Sequence, residues 1–196
     1  SIEEYARICQ FVNAEGYRAM FEAAGSRMWD ITTGIMLWKL NAAYPEVLWQ
    51  IYDWFLNPNA AYYFSKKALE PLHIQLNAND NQVSVINNLR KSENKLTVKA
   101  RVYDSNMKVK WDREEKINIK ADCYQEVFKV PQLSDISTLY FVKLELVNEK
   151  GELVSDNVYW QSSKTPADYS GLAKLKEVKP DMSGKVNETK DEYQVV

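Results

Sequence analysis

The hydrophobic period changes at Glu70-Pro71, and that change constrains the fold more than any other feature of the chain. Before it, apolar residues recur at helical spacing; after it, they alternate as in half-buried strands. A chain of 196 residues has room for one or two domains with a real core. Helical and strand periods are segregated along it, so the two kinds of structure form separate layers or separate domains.

Residues Ile2 to Ala24 carry the first helical period, with Tyr5, Ile8, Cys9, Val12, Met20 and Ala24 near one face and Glu3, Glu4, Arg7, Gln10 and Arg18 elsewhere. Glu3 and Glu4 suit a first turn, and Gly25 suits a C-terminal cap. Ile35 to Trp38 is a short continuous apolar run; between two helices it predicts a parallel strand buried on both faces. Pro45 is placed to open a second helix, with Val47, Leu48, Ile51, Tyr52 and Phe55 on its apolar side and Trp49 and Trp54 packing against it. Asn57-Pro58-Asn59 breaks that pattern. Ala60 to Leu69 predicts another helix, which Pro71 prevents from continuing.

Alternation then takes over. Leu72–Leu76, Val83–Val85, Leu96–Val102, Val127–Val130 and Tyr140–Leu146 each read as a strand, separated by turn-forming clusters such as Asn79-Asp80-Asn81 and Asp104-Ser105-Asn106. Strands joined by short turns with no helix between them predict an antiparallel sandwich of immunoglobulin type. Ser162 to Gly171 reads as a linker, and Tyr193 to Val196 as the beginning of a further strand. That beginning, a first residue other than Met, and a lone parallel strand with no neighbours together predict a piece of a longer protein. The resulting fold class is mixed: helix–strand–helix followed by an immunoglobulin-like antiparallel β-sandwich.

Charge and residue usage exclude several functions. A net charge of −2 provides no basic field for nucleic acid or an acidic membrane surface. No apolar run approaches the roughly 20 residues of a membrane span, and the acidic start Ser1-Ile2-Glu3-Glu4 is unlike a signal peptide. Cys9 and Cys123 read as two buried free thiols, and the single histidine, His73, reads as structural. With no Cys/His spacing for a metal, neither a metal nor a cofactor is expected. Asn187-Glu188-Thr189 matches a glycosylation acceptor that matters only in a eukaryotic secretory setting.

The strings Thr33 to Pro45, Trp49 to Pro58 and Ala61 to Gln75 resemble the end of the catalytic barrel in family 2 glycoside hydrolases. The similarity is to the branch of exo-β-D-glucosaminidases and mannosylglycoprotein endo-β-mannosidases. Tyr159-Trp160 with Asp168 to Leu175 resembles the junction that follows the sandwich in that branch. The resemblance implies that residues 1–70 are the C-terminal fragment of a (β/α)8 barrel and 71–162 an immunoglobulin-like sandwich. Residues 163–196 would then be a linker and the start of a second such domain. It further implies that Ile35 to Leu40 is the eighth barrel strand. Trp38 and Asn41 at its C-terminal end would line the sugar pocket, where barrel active sites lie.

A retaining glycosidase needs two carboxyl groups about 5 Å apart. The family's glutamates sit on strands that, in the implied register, precede Ile2. The parent would act on carbohydrate, and this chain alone is expected to be inactive. Its compartment is open: periplasmic or secreted if the resemblance holds. The other reading is a non-catalytic carbohydrate-binding or structural sandwich module. Because Ile31 to Phe64 would lack its barrel partners, exposed edges and apolar faces predict a homo-oligomer through that segment.

Overall fold

A computed structural model describes residues 1–46 and 49–176 and the backbone of residues 186–188 and 193–195. The first element is helix α1, Ile2–Gly25, opened by a capping box in which Glu4 N donates to Ser1 Oγ at 3.2 Å. Its buried residues are Ala14, Tyr17, Arg18 and Glu22. This corrects the helical face read from the sequence: Tyr5, Ile8 and Val12 are exposed, whereas Arg18 is inside. Burial is concentrated in the second half of the helix, although Phe11 stacks on Trp160 and Asn13 Nδ2 donates to Trp49 O at 3.0 Å. Cys9 and Cys123 are free thiols and only half-buried, not buried.

Helix α2, Ala60–Ala68, lies against α1 and is capped by Asn59, whose Oδ1 accepts from Ala61 N at 2.9 Å. Between α1 and α2 the chain forms turns and isolated bridges. Two expectations fail here. Ile35 to Leu40 is not a strand: among the described residues its backbone meets a parallel neighbour only at its end, in the isolated bridge of Asn41 with Tyr52. Pro45 to Phe55 is not a helix in its described part, Val47 and Leu48 lying outside the described residues. Trp49 and Trp54 are therefore not buried helix-packing residues and stand exposed. Tyr17, Ile51 and Ala61 make the small core that holds this segment to the helices.

The strands make a sandwich. One sheet has the order β1-β2-β5, from Leu72–Leu76, Gln82–Asn87 and Cys123–Lys129. The other has the order β4-β3-β6-β7, from Val109–Ile119, Glu93–Asp104, Leu139–Val147 and Leu153–Ser162. All pairs are antiparallel. Alternate residues point inward, including Leu72, Ile74 and Leu76 from β1, Val98, Ala100 and Val102 from β3, and Val142, Leu144 and Leu146 from β6. Every residue of β1 and β2 is buried, because α1 covers the sheet's outer face. There the end of α1 approaches so closely that a Cβ at Gly25 would come within 2.4 Å of the Ile86 side chain. β8, Val186–Glu188, pairs antiparallel with β9, Tyr193–Val195.

Besides the short β8, two strands of the sandwich escaped the sequence reading. β4 carries Lys110, Asp112, Arg113, Glu114, Glu115 and Lys116, which hide its inward Trp111, Ile117 and Ile119. It is a sheet edge, where charge prevents further pairing. β7 reverses the ordinary pattern: Ser155 and Asn157 are buried while Leu153, Val154 and Val158 are exposed. Its inward side chains face the open edge of β1 and close it. Ile74 N donates to Ser155 Oγ and Leu76 N to Tyr159 Oη, each at 3.2 Å, and Asn157 Nδ2 donates to Ile74 O at 3.2 Å. Side chains thus satisfy a strand edge that no backbone pairs.

Tyr159→Phe tests this seam. The substitution removes an acceptor of Leu76 N and the hydroxyl that donates to Glu22 Oε1 at 2.7 Å. We expect a loss of about 1–3 kcal/mol, read as a lower urea midpoint with the β-sheet dichroism unchanged.

Candidate functional site

The two residues that the sequence nominates for substrate contact lie in the irregular segment between the helices. Trp38 is 80% exposed, and its carbonyl accepts from Trp49 Nε1 at 3.1 Å. Asn41 donates through Nδ2 to Ala42 O at 3.0 Å and forms an isolated parallel bridge with Tyr52. Tyr52 N donates to Leu40 O at 3.1 Å, so the return of the chain through Tyr52 fixes the level at which Trp38 and Asn41 emerge. Met36, Tyr44, Trp54 and Phe55 are exposed in the same segment, Met36 to 97%. Ile51, with Leu37 and Tyr52, packs into the small core, while these other apolar side chains stay exposed among the described residues.

At the junction of the helices with the sandwich lies a buried polar cluster that sequence reasoning did not assemble. Glu22 of α1 is 5% exposed, and its Oε1 accepts from Tyr159 Oη at 2.7 Å, Asn157 Nδ2 at 3.0 Å and His73 Nε2 at 3.3 Å. The other nitrogen of His73 lies 3.4 Å from Glu70 Oε2, which also accepts from Ser155 Oγ at 2.6 Å. Lys67 bridges Glu70 and Asp156. Arg18 donates to Val158 O at 2.7 Å, pairs with Glu15 and stacks on Tyr159 with 4.3 Å between the guanidinium carbon and the ring centre. The cluster joins α1, the exit of α2, β1 and β7.

Electrostatics assign charge states to this cluster. Burial pushes the His73 imidazole toward the neutral form, but hydrogen bonds to Glu22 and Glu70 outweigh it and raise the pKa above 6.5. Burial likewise opposes ionisation of Glu70, but His73, Ser155 and Lys67 together hold its pKa down at about 2. The two carboxyl groups thus favour the imidazolium of His73 between them, an arrangement that suits a structural role. Among the described residues no group of His, Cys, Asp and Glu is arranged to hold a metal ion.

The signals for the cluster were present but faint: Arg18 and Glu22 one helical turn apart, His73 and Gln75 alternating with apolar neighbours in β1, and Ser155, Asn157 and Tyr159 alternating in β7. Glu114 and Glu115, by contrast, lie on the charged edge strand β4. Glu46 accepts from Gln50 Nε2 at 3.2 Å, outside the buried cluster.

Comparison with known proteins gives this architecture a class. Residues 79–163 match the mannosidase Ig/CBM-like domain family. The chain is 32% identical over 169 residues to an exo-β-D-glucosaminidase of Streptomyces avermitilis, a match covering 83% of the chain and 19% of the relative. It is 26% identical to a mannosylglycoprotein endo-β-mannosidase of Lilium longiflorum, covering 82% and 17% respectively. The crystal structure of an exo-chitosanase from Amycolatopsis orientalis superposes with a TM-score of 0.79 at 33% identity, over 84% of this chain and 20% of that one. The chain is thus a homologue of part of the exo-β-D-glucosaminidases and mannosylglycoprotein endo-β-mannosidases, the branch of family 2 glycoside hydrolases that Gly34 to Gln75 resembles. It spans about a fifth of the length of these relatives.

The charge states predict a pH dependence of stability. The raised pKa of His73 contributes stability below pH 6.5 that is lost as pH rises through its folded value. The lowered pKa of Glu70 contributes stability above pH 4.5 that is lost as pH falls toward about 2. Unfolding midpoints measured across pH should be highest between these limits. His73→Gln should flatten the alkaline limb and Glu70→Gln the acid limb.

Proposed function

We propose that the chain is the C-terminal part of a retaining β-glycosidase of family 2, with residues 1–70 the end of its (β/α)8 barrel. Residues 71–162 are the immunoglobulin-like sandwich that buttresses it, and residues 163–196 lead into a second such domain. The parent hydrolyses a β-glycosidic bond in carbohydrate such as a glucosaminide or mannoside. Trp38 and Asn41 form one wall of its sugar pocket, the indole face packing on pyranose C–H groups. The catalytic glutamates belong to the remainder of the barrel, and this chain by itself does not turn over substrate.

The observation that carries this reading is the mismatch between the two halves of the chain. The sandwich has a closed core, whereas residues 28–56 expose Trp29, Ile31, Met36, Trp38, Trp54 and Phe55 together. Apolar surface of that kind is cover for something else. The similarity to glucosaminidases runs through this segment as well as the sandwich, since it extends over 83% of the chain. The carboxylates of the buried cluster support the absence of catalysis here: Glu22 and Glu70 are both engaged by His73.

A chimera tests the proposal. Replacing the homologous fifth of the Amycolatopsis orientalis enzyme with this chain should preserve hydrolysis of p-nitrophenyl β-D-glucosaminide. The same chimera with Trp38→Ala should lose about tenfold in kcat/KM at unchanged thermal stability, the scale of one lost ring–sugar contact. An unchanged kcat/KM would remove Trp38 from the pocket. The chain alone should give no turnover. In light scattering it should run as a homo-oligomer that buries the Trp38 segment, and a monodisperse monomer would contradict that assembly.

A further inference from the structure

A cleft of about 690 Å³ opens between α1 and the ends of β1 and β7. That volume lies within the roughly 300–1,000 Å³ of small-molecule sites. Trp38 and Asn41 are not among its walls. Glu22 is. The hydrogen bonds described for the Glu22 side chain all end on Oε1, where Tyr159, Asn157 and His73 hold the carboxylate still. Oε2 receives none among the described residues, nor is it one of the buried unpartnered atoms, so it keeps access to the cleft that Glu22 lines.

The other walls narrow the chemistry of that guest. Phe11 stacks on Trp160 with ring centres 4.5 Å apart and keeps its outer face partly open, and Tyr169 offers a second exposed ring. Asn79 and Gln161 add amide groups. Arg18 lines the cleft too, but its donors go to Val158 O, Asn157 Oδ1 and Glu15. Arg27 at the rim is paired with Asp30 at 3.5 Å. With cations engaged and the Glu22 oxygen free, the cleft disfavours anions and accepts hydrogen-bond donors. Ring faces beside a carboxylate and amides suit a pyranose that carries hydroxyl and ammonium donors.

We propose that this cleft at the helix–sandwich junction is a binding site for an amino-sugar unit of a glycan chain, with Glu22 Oε2 receiving its ammonium or hydroxyl hydrogens and Phe11 and Tyr169 packing on its C–H face. The site is separate from the Trp38 wall and does not depend on the glycosidase reading. It gives the chain a sugar contact of its own.

Isothermal titration of the whole chain with a fully deacetylated chitosan tetramer tests it. One unit should bind per chain. Phe11→Ala and Tyr169→Ala should each weaken binding about tenfold, and Trp38→Ala should leave it unchanged. Tyr169→Ala should keep its unfolding midpoint; Phe11→Ala also loses the stacking on Trp160, so its binding is read at a temperature well below its own midpoint. Glu22→Gln, which retains an acceptor at Oε1, should weaken the amino sugar about tenfold. A neutral manno-oligosaccharide of the same length should bind more weakly than the amino sugar. Absence of heat at millimolar ligand, indifference to both rim variants, or loss of binding in Trp38→Ala would each overturn the assignment. Equal affinity for the neutral oligosaccharide would overturn the amino-sugar specificity.

Discussion

A sandwich of two antiparallel sheets has edges, and the edge of β1 is the one on which the rest of this molecule depends. Its outward N–H and C=O groups have no strand to pair with, and burial without partners would be costly for each of them. Ser155, Asn157 and Tyr159 meet that requirement from the opposite sheet. Their own remaining capacity is met in turn by Glu22 and Glu70. One unpaired strand edge therefore explains a buried histidine, two buried or half-buried glutamates and the docking of α1 on the sandwich. Helix and sheet are joined by a polar seam flanked by apolar contact, and each member of it is oriented by another.

That seam also accounts for what the sequence concealed. Strands with one apolar face, such as Leu96–Val102 and Tyr140–Leu146, are legible because inward and outward residues differ in hydropathy. β4 is illegible because an edge strand trades apolar residues for charge. β7 is illegible because its buried residues are the polar ones, chosen to bond an edge rather than to fill a core. The helical face of α1 misled for a related reason. Tyr5, Ile8 and Val12 repeat at helical spacing, yet among the described residues they stay exposed.

The sugar wall remains a proposal that rests on residue type and resemblance. Trp38 and Asn41 were identified through a resemblance that extends from Gly34 to Gln75, and the comparisons place relatives of the chain in that branch of glycosidases. The local conformation expected of them, a strand entering a helix, is missing because a parallel strand is a property of its neighbours. The polar cluster was missed for the opposite reason. Its members come from positions up to 140 residues apart, as in the Arg18–Val158 bond, and no local pattern joins them.

The reversed alternation of β7 has a consequence for anyone who would engineer this domain. Stabilising redesign normally moves apolar residues toward buried positions and polar ones toward solvent. Applied to β7, that rule would exchange Ser155 and Asn157 for aliphatic residues and leave the Ile74 N–H and C=O without partners. The hydrophobic score would improve while the helices lost their hold on the sandwich. In this domain, the positions that look like errors of composition are the fastening.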